Sequence, residues 1–140
     1  LKKKGFTLLE MIIVLAIMSI IVSIAAPQTM KALQKSKQTA DLLTAKTIAV
    51  AIQEAMAEGA ELSATTGWAK VENNIFTDTT NYTLSNYIEN LSSLKPKQNA
   101  NYDFYYNYNI NDNTLKIGVG ENNENPTVIY PEPESSESGS

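Results

Sequence analysis

Few side chains in this sequence are able to do covalent or acid–base chemistry. Histidine and cysteine are both absent, which removes the commonest general base, thiolate nucleophiles, disulfides and zinc-thiolate sites together. Carboxylates for hydrolysis would have to come from Glu54, Glu58, Glu61 and Glu72, but no partner base exists and no polar stretch surrounds them. No catalytic residue is assigned, and a non-enzymatic protein is expected. The loop at residues 121–125 (ENNEN) offers several oxygen donors. Calcium takes roughly six to eight oxygens, and this spacing fits no ligand pattern, so a solvated turn is expected, with no metal and no cofactor. Asn81-Tyr82-Thr83 and Asn90-Leu91-Ser92 fit the asparagine-glycosylation sequon, in a chain so rich in asparagine that chance matches are expected.

One carboxylate stands where its chemistry is costly. In residues 2–11 (KKKGFTLLEM), three lysines and a Gly5-Phe6 pair precede Glu10 at the edge of a long apolar run. From Met11 to Ala26 only Ser19 and Ser23 are polar, and counted from Phe6 the run reaches 21 residues, enough for a helix that crosses a bilayer. Lys2, Lys3 and Lys4 place that end in the cytoplasm and the rest of the chain outside. Two bland readings compete. A secretory signal peptide would use Ser23-Ile24-Ala25 as its cleavage site; Glu10 weakens it, and the helical pattern continues about thirty residues past Ala26. An ordinary single-span anchor for a binding module would leave Glu10 at the interface.

Residues 3–10 resemble the processing motif of type IV prepilins and pseudopilins: a short basic leader ending in glycine, an aromatic residue, threonine, two apolar residues and glutamate fifth after the cut. Pro27 also falls where that family usually has a proline, whereas Ser19 stands where many members have a helix-loosening glycine. The resemblance implies that a membrane-embedded prepilin peptidase cuts between Gly5 and Phe6 and methylates the new amine of Phe6. It further implies that an assembly ATPase and platform protein lift the subunit from the membrane into a homo-oligomeric helical filament. Phe6, Glu10 and Pro27 then serve filament assembly. The new ammonium at Phe6 neutralises Glu10 of an adjacent subunit, and wrong stacking leaves both charges buried alone. A cell-surface pilus for adhesion or twitching is the leading expectation. A major pseudopilin of a competence or type II secretion system is the alternative.

Composition agrees with a structural role. Eleven lysines and no arginine face fifteen acids, a net of −4; without residues 1–5 the balance is eight against fifteen, or −7. Such a surface is a poor partner for phosphate backbones, so no direct nucleic-acid binding is expected.

The elements behind these residues follow from periodicity. Pro27 should bend or loosen a helix that runs through it, unless a helix starts there. Leu42, Ala45, Ala49, Ile52 and Met56, with Ile48 and Ala55 beside them, form an apolar stripe, while Asp41, Lys46, Gln53 and Glu54 take the other side, and Gly59 stops the helix. Residues 84–94 carry apolar side chains at helical spacing and suggest a second short helix before Pro96. Tyr102, Phe104, Tyr106, Tyr108 and Ile110 alternate with polar residues as a strand. Leu115, Ile117 and Val119 form its hairpin partner, and Val128 and Tyr130 a third strand. Trp68 is expected to plug the core.

The expected fold is α+β: a long N-terminal helix, hydrophobic then amphipathic, packed on a small antiparallel sheet, which is also what pilins look like. The expected organisation is a leader (1–5), a hydrophobic membrane and filament-core helix (6–27), its amphipathic continuation (28–58), a globular region (59–130) and a disordered acidic tail (131–140).

Overall fold

The computed structural model describes residues 5–133. Lys2–Lys4 and most of the acidic tail lie outside the described residues. The chain divides into two compact units, 1–36 and 37–140, and one helix, α1 (Leu8–Ala57), contributes to both.

In the first unit α1 stands bare. Its large apolar side chains are all exposed, from Met11 at 44% to Leu8 at 80%. None of the apolar window is buried among the described residues. Ser19 and Thr29 donate their hydroxyls to the carbonyls of Leu15 and Ala25, and Ser23 to that of Ile20, so the few polar groups are satisfied within the helix. The helix runs through Pro27 without a break, which rules out a helix start at that residue.

In the second unit α1 packs on a four-stranded antiparallel sheet, β1 (Ala69–Lys70), β2 (Asp103–Asn109), β3 (Thr114–Gly120) and β4 (Thr127–Tyr130), in the order β1-β2-β3-β4. This is the pilin fold. Ala45, Ile48, Ala49, Ile52 and Ala55 meet Phe104, Tyr106, Tyr108, Leu115, Ile117 and Val119 in one core. Three alanines on the helix face let the backbone approach the sheet, and the large strand residues fill the space between. The β2–β3 hairpin pairs Asn109 with Thr114. Its turn is held by Asn109 and Asp112 side chains, which accept from the amides of Asn111 and Thr114, as turn formers of this kind do.

The helix ends as its sequence asks. Gly59 takes φ +108°, the amide of Ala60 bonds the carbonyl of Ala55 and that of Gly59 bonds Met56, the paired closure that a glycine just past a helix permits. Tyr82 then donates to the carbonyl of Glu58, and Tyr87 to its carboxylate.

Six details depart from the sequence reading. Residues 84–94 do not form one α-helix: two 3-10 turns, Leu84–Asn86 and Leu91–Ser93, are separated by Asn90 at φ 56°. Asn73 anchors the first of them, its carbonyl and side-chain oxygen accepting from the amides of Leu84 and Ser85. A fourth strand, β1, joins the sheet. Ile110 falls outside β2 and is 66% exposed. Asp41 is buried, not on the wet face of α1: its carboxylate accepts from the amides of Lys97 (2.6 Å) and Gln98 (3.1 Å), so a polar residue serves as the clasp for a loop. Trp68 is half-buried on the outward side of the sheet, beside Gly118. An added Cβ at Gly118 would meet the Trp68 ring at 3.2 Å and Pro126 at 3.0 Å. Tyr105 pairs with that glycine and is buried on the face that alternation assigns to solvent.

Candidate processing and assembly site

The residues around the proposed cut lie ahead of the helix. Residues 5–7 have no regular structure and are exposed, Phe6 by 81%, and nothing approaches within 4 Å of the position a Cβ would take at Gly5. A peptide bond in this state can be drawn extended into a protease without unwinding anything.

Helix α1 starts at Leu8 because Thr7 and Glu10 cap it reciprocally. The amide of Glu10 donates to the Thr7 hydroxyl at 3.2 Å, and the amide of Thr7 donates to Glu10 Oε2 at 3.0 Å. Two of the orphan amides at the helix start are thereby satisfied, and a carboxylate at the third helical position sits favourably against the helix dipole. Thr-x-x-Glu before an apolar run is the sequence signature of this cap, and reading Glu10 only as a partner for another chain overlooked it. Among the described residues only Oε2 of Glu10 is engaged, which leaves the other oxygen able to accept a further donor. Phe6 lies directly beside this cap in sequence, whereas Pro27 stands twenty-one residues on, so the structure does not bring Pro27 to the same place.

Helix α1 is the one helix among the described residues long and apolar enough to cross a membrane, and none of its apolar window is buried within the protein. An apolar surface of this extent in water would be costly, at roughly 1.5–3 kcal/mol for each large side chain left unburied. Lipid or other copies of the same helix would remove that cost.

Elsewhere, several charged and polar groups are committed to structure. Asp103 on β2 takes the ammonium groups of Lys70 (3.3 Å) and Lys95; its hydrogen bond with Lys95, then Lys70, holds its carboxyl below the usual range against the opposing effect of partial burial. The Glu58 carboxylate that receives the Tyr87 hydroxyl pushes that phenol up to about 12, because ionising it would break the bond and set two negative charges together. A cleft of about 550 Å³ lies between β1 and the 3-10 turns, with Ile48 and Phe104 in its lining and Lys70, Lys95 and Asp103 along it. The Asp103 carboxylate is held by the two ammonium groups, and Glu72, Ser85 and Ser92 also line the cleft. Sequence reasoning missed the cleft because its walls are far apart in the chain. Among the described residues no group of three or more acidic, histidine or cysteine side chains is placed to hold a metal. The loop at 121–125 is exposed and turns on Asn122, whose side chain accepts from the amide of Glu124.

Neither curated proteins nor solved structures give a match to this chain. Residues 1–26 match the family model described as the prokaryotic N-terminal methylation motif, the same stretch that holds the exposed Gly5-Phe6 bond, the Thr7–Glu10 cap and most of the apolar helix.

Proposed function

We propose that this chain is the major structural subunit of a type IV pilus. It is cut between Gly5 and Phe6, methylated on the Phe6 amine, held in the cytoplasmic membrane by α1 with its second unit outside, and then polymerised through α1 into a surface filament. Prepilin peptidase, an assembly ATPase and a platform protein are the partners this route needs. The observation that carries the reading is the exposed, non-helical Gly5-Phe6 bond placed immediately ahead of a capped apolar helix that is bare among the described residues.

Cleavage turns the Phe6 nitrogen into an ammonium. In the filament core it approaches Glu10 of a neighbouring copy, whose Oε2 already receives the Thr7 amide and whose other oxygen completes the pair. Two charges matched in an apolar surrounding recover much of the several kcal/mol that each would cost alone. A slipped subunit recovers none of it, so the pair fixes stacking register. Mass spectrometry of purified filaments is expected to find an N-terminus at Phe6 carrying one added methyl; retention of the leader in assembled material would refute processing. Glu10→Ala is expected to leave cleavage intact and to reduce filament yield sharply, and normal yield would remove the register role. Deletion of the chain should abolish long surface fibres; their persistence would instead favour a pseudopilin.

A further inference from the structure

Between Glu10 and Asp41 the chain has no acid, and it has three lysines, Lys31, Lys35 and Lys37, all on α1 just after the apolar run. We propose that these three lysines form a basic collar that binds anionic phospholipid headgroups on the leaflet from which the rest of the chain emerges. The inference rests on the membrane-embedded part of the function proposed above and is independent of filament formation.

Depth along the helix carries the first part of the case. At about 1.5 Å per residue the helical stretch from Leu8 to Ala26 spans roughly 28 Å, close to the ~30 Å of a hydrocarbon core. Lys31 then stands about 7 Å beyond the core, and Lys35 and Lys37 about 13 and 16 Å beyond it. The headgroup layer occupies roughly the first 5–7 Å. Side chains on a helix lean toward its N-terminus, which here means back toward the bilayer, and a lysine stem carries its ammonium several ångströms that way; this sets Lys31 among the headgroups, Lys35 at their outer edge and Lys37 beyond it, still within about a Debye length of the charged surface.

Direction around the helix decides between lipid and protein. With about 100° between successive residues, Lys35 lies ~40° from Lys31, while Lys37 lies ~120° from Lys31 in the other direction and ~160° from Lys35. A neighbouring protein surface meets one face of a helix, whereas a plane of headgroups surrounds it. The positions among the lysines are Gln34, Ser36 and Gln38, which add hydrogen-bonding groups and no opposing charge. Lys31 and Lys35 are exposed and Lys37 half-buried.

The test uses the full chain with Lys2→Gln, Lys3→Gln and Lys4→Gln, to remove the opposite flank, reconstituted in phosphatidylcholine bilayers. A trace of spin-labelled phosphatidylglycerol or spin-labelled phosphatidylcholine reports by electron paramagnetic resonance which lipid is held at the protein. The collar predicts a preference for phosphatidylglycerol of about fivefold, declining toward parity in high salt. Adding Lys31→Gln, Lys35→Gln and Lys37→Gln should bring it to parity at any salt, and Lys116→Gln should leave it unchanged. Parity in the parent protein, or a preference that survives the triple change, overturns the proposal. So does a triple variant that keeps its lipid preference but no longer assembles, since the lysines would then be a subunit contact. If neither label shows a restricted population, α1 is not in the bilayer and the membrane reading falls with the collar. A normal collar on a chain that never forms filaments would leave only the filament reading to fall.

Discussion

Helix α1 places two solutions to one problem in a single element. Before residue 37 its large apolar side chains are all exposed, and after residue 37 Ile48 and Ile52 are buried to 1% and 0%. Both stretches are rich in apolar residues, so hydrophobicity alone does not separate them. What differs is pattern: as far as Ala26 the first stretch is apolar on nearly every face, whereas the second gathers its buried residues into one stripe and leaves Leu43 and Val50 exposed together with Lys46, Gln53 and Glu54. A stripe is answered by one sheet within the same chain. A helix that is apolar all round needs an environment that surrounds it, which the described residues do not provide.

That contrast is broken or sharpened by mutation. Ile52→Ala removes a fully buried side chain and should cost the second unit about 2–5 kcal/mol, read as earlier unfolding by Trp68 fluorescence in denaturant. Ile17→Ala, in the bare stretch, should leave that transition where it is; equal effects would mean that the two parts of α1 share one core. Asp41→Ala leaves the amides of Lys97 and Gln98 without their acceptor and should cost about 1–3 kcal/mol. Asp41→Asn, which keeps an oxygen, should recover part of the loss. The smallest effect concerns Asp103. Its carboxyl is held below its unfolded value of about 3.9 by Lys95 and Lys70, so its contribution is present above that pH and fades as pH falls through the lower, folded value. Because the lysine partners are about half exposed, Lys95→Ala should reduce stability at neutral pH by less than about 1 kcal/mol and should flatten the acid limb of the stability curve. An unchanged acid limb would show that the pair adds nothing.

The same contrast shows what was legible in the sequence. The stripe from Leu42 to Met56, the alternation through β2 and β3 and the stop at Gly59 could be read because each expresses a local period or a local backbone need. Asp41 could not: its charge assigns it to solvent, and only the loop at 95–98, which is distant in sequence, supplies the amides that make burial tolerable. Tyr105 escaped for a related reason: its cross-strand partner is Gly118, beside which the Trp68 ring arrives from a separate segment. Residues 84–94 show the limit of periodicity, because apolar side chains three and four apart are also produced by two short turns divided by a left-handed asparagine. The Thr7–Glu10 cap was readable as a motif. It was missed because Glu10 had been assigned wholly to another subunit, although one carboxylate has oxygens enough for a local bond and a distant one.

The tyrosine clasp at Glu58 has a mechanical consequence. Pulling on α1 along its axis cannot peel its last turn away freely, because Tyr82 and Tyr87 tie that turn to the segment that follows. Tension is instead shared between the helix end and the tyrosine-bearing segment, so several bonds must shear together before the helix can slide. Under axial load the helix end and the segment from Tyr82 to Tyr87 would therefore yield together, not one after the other.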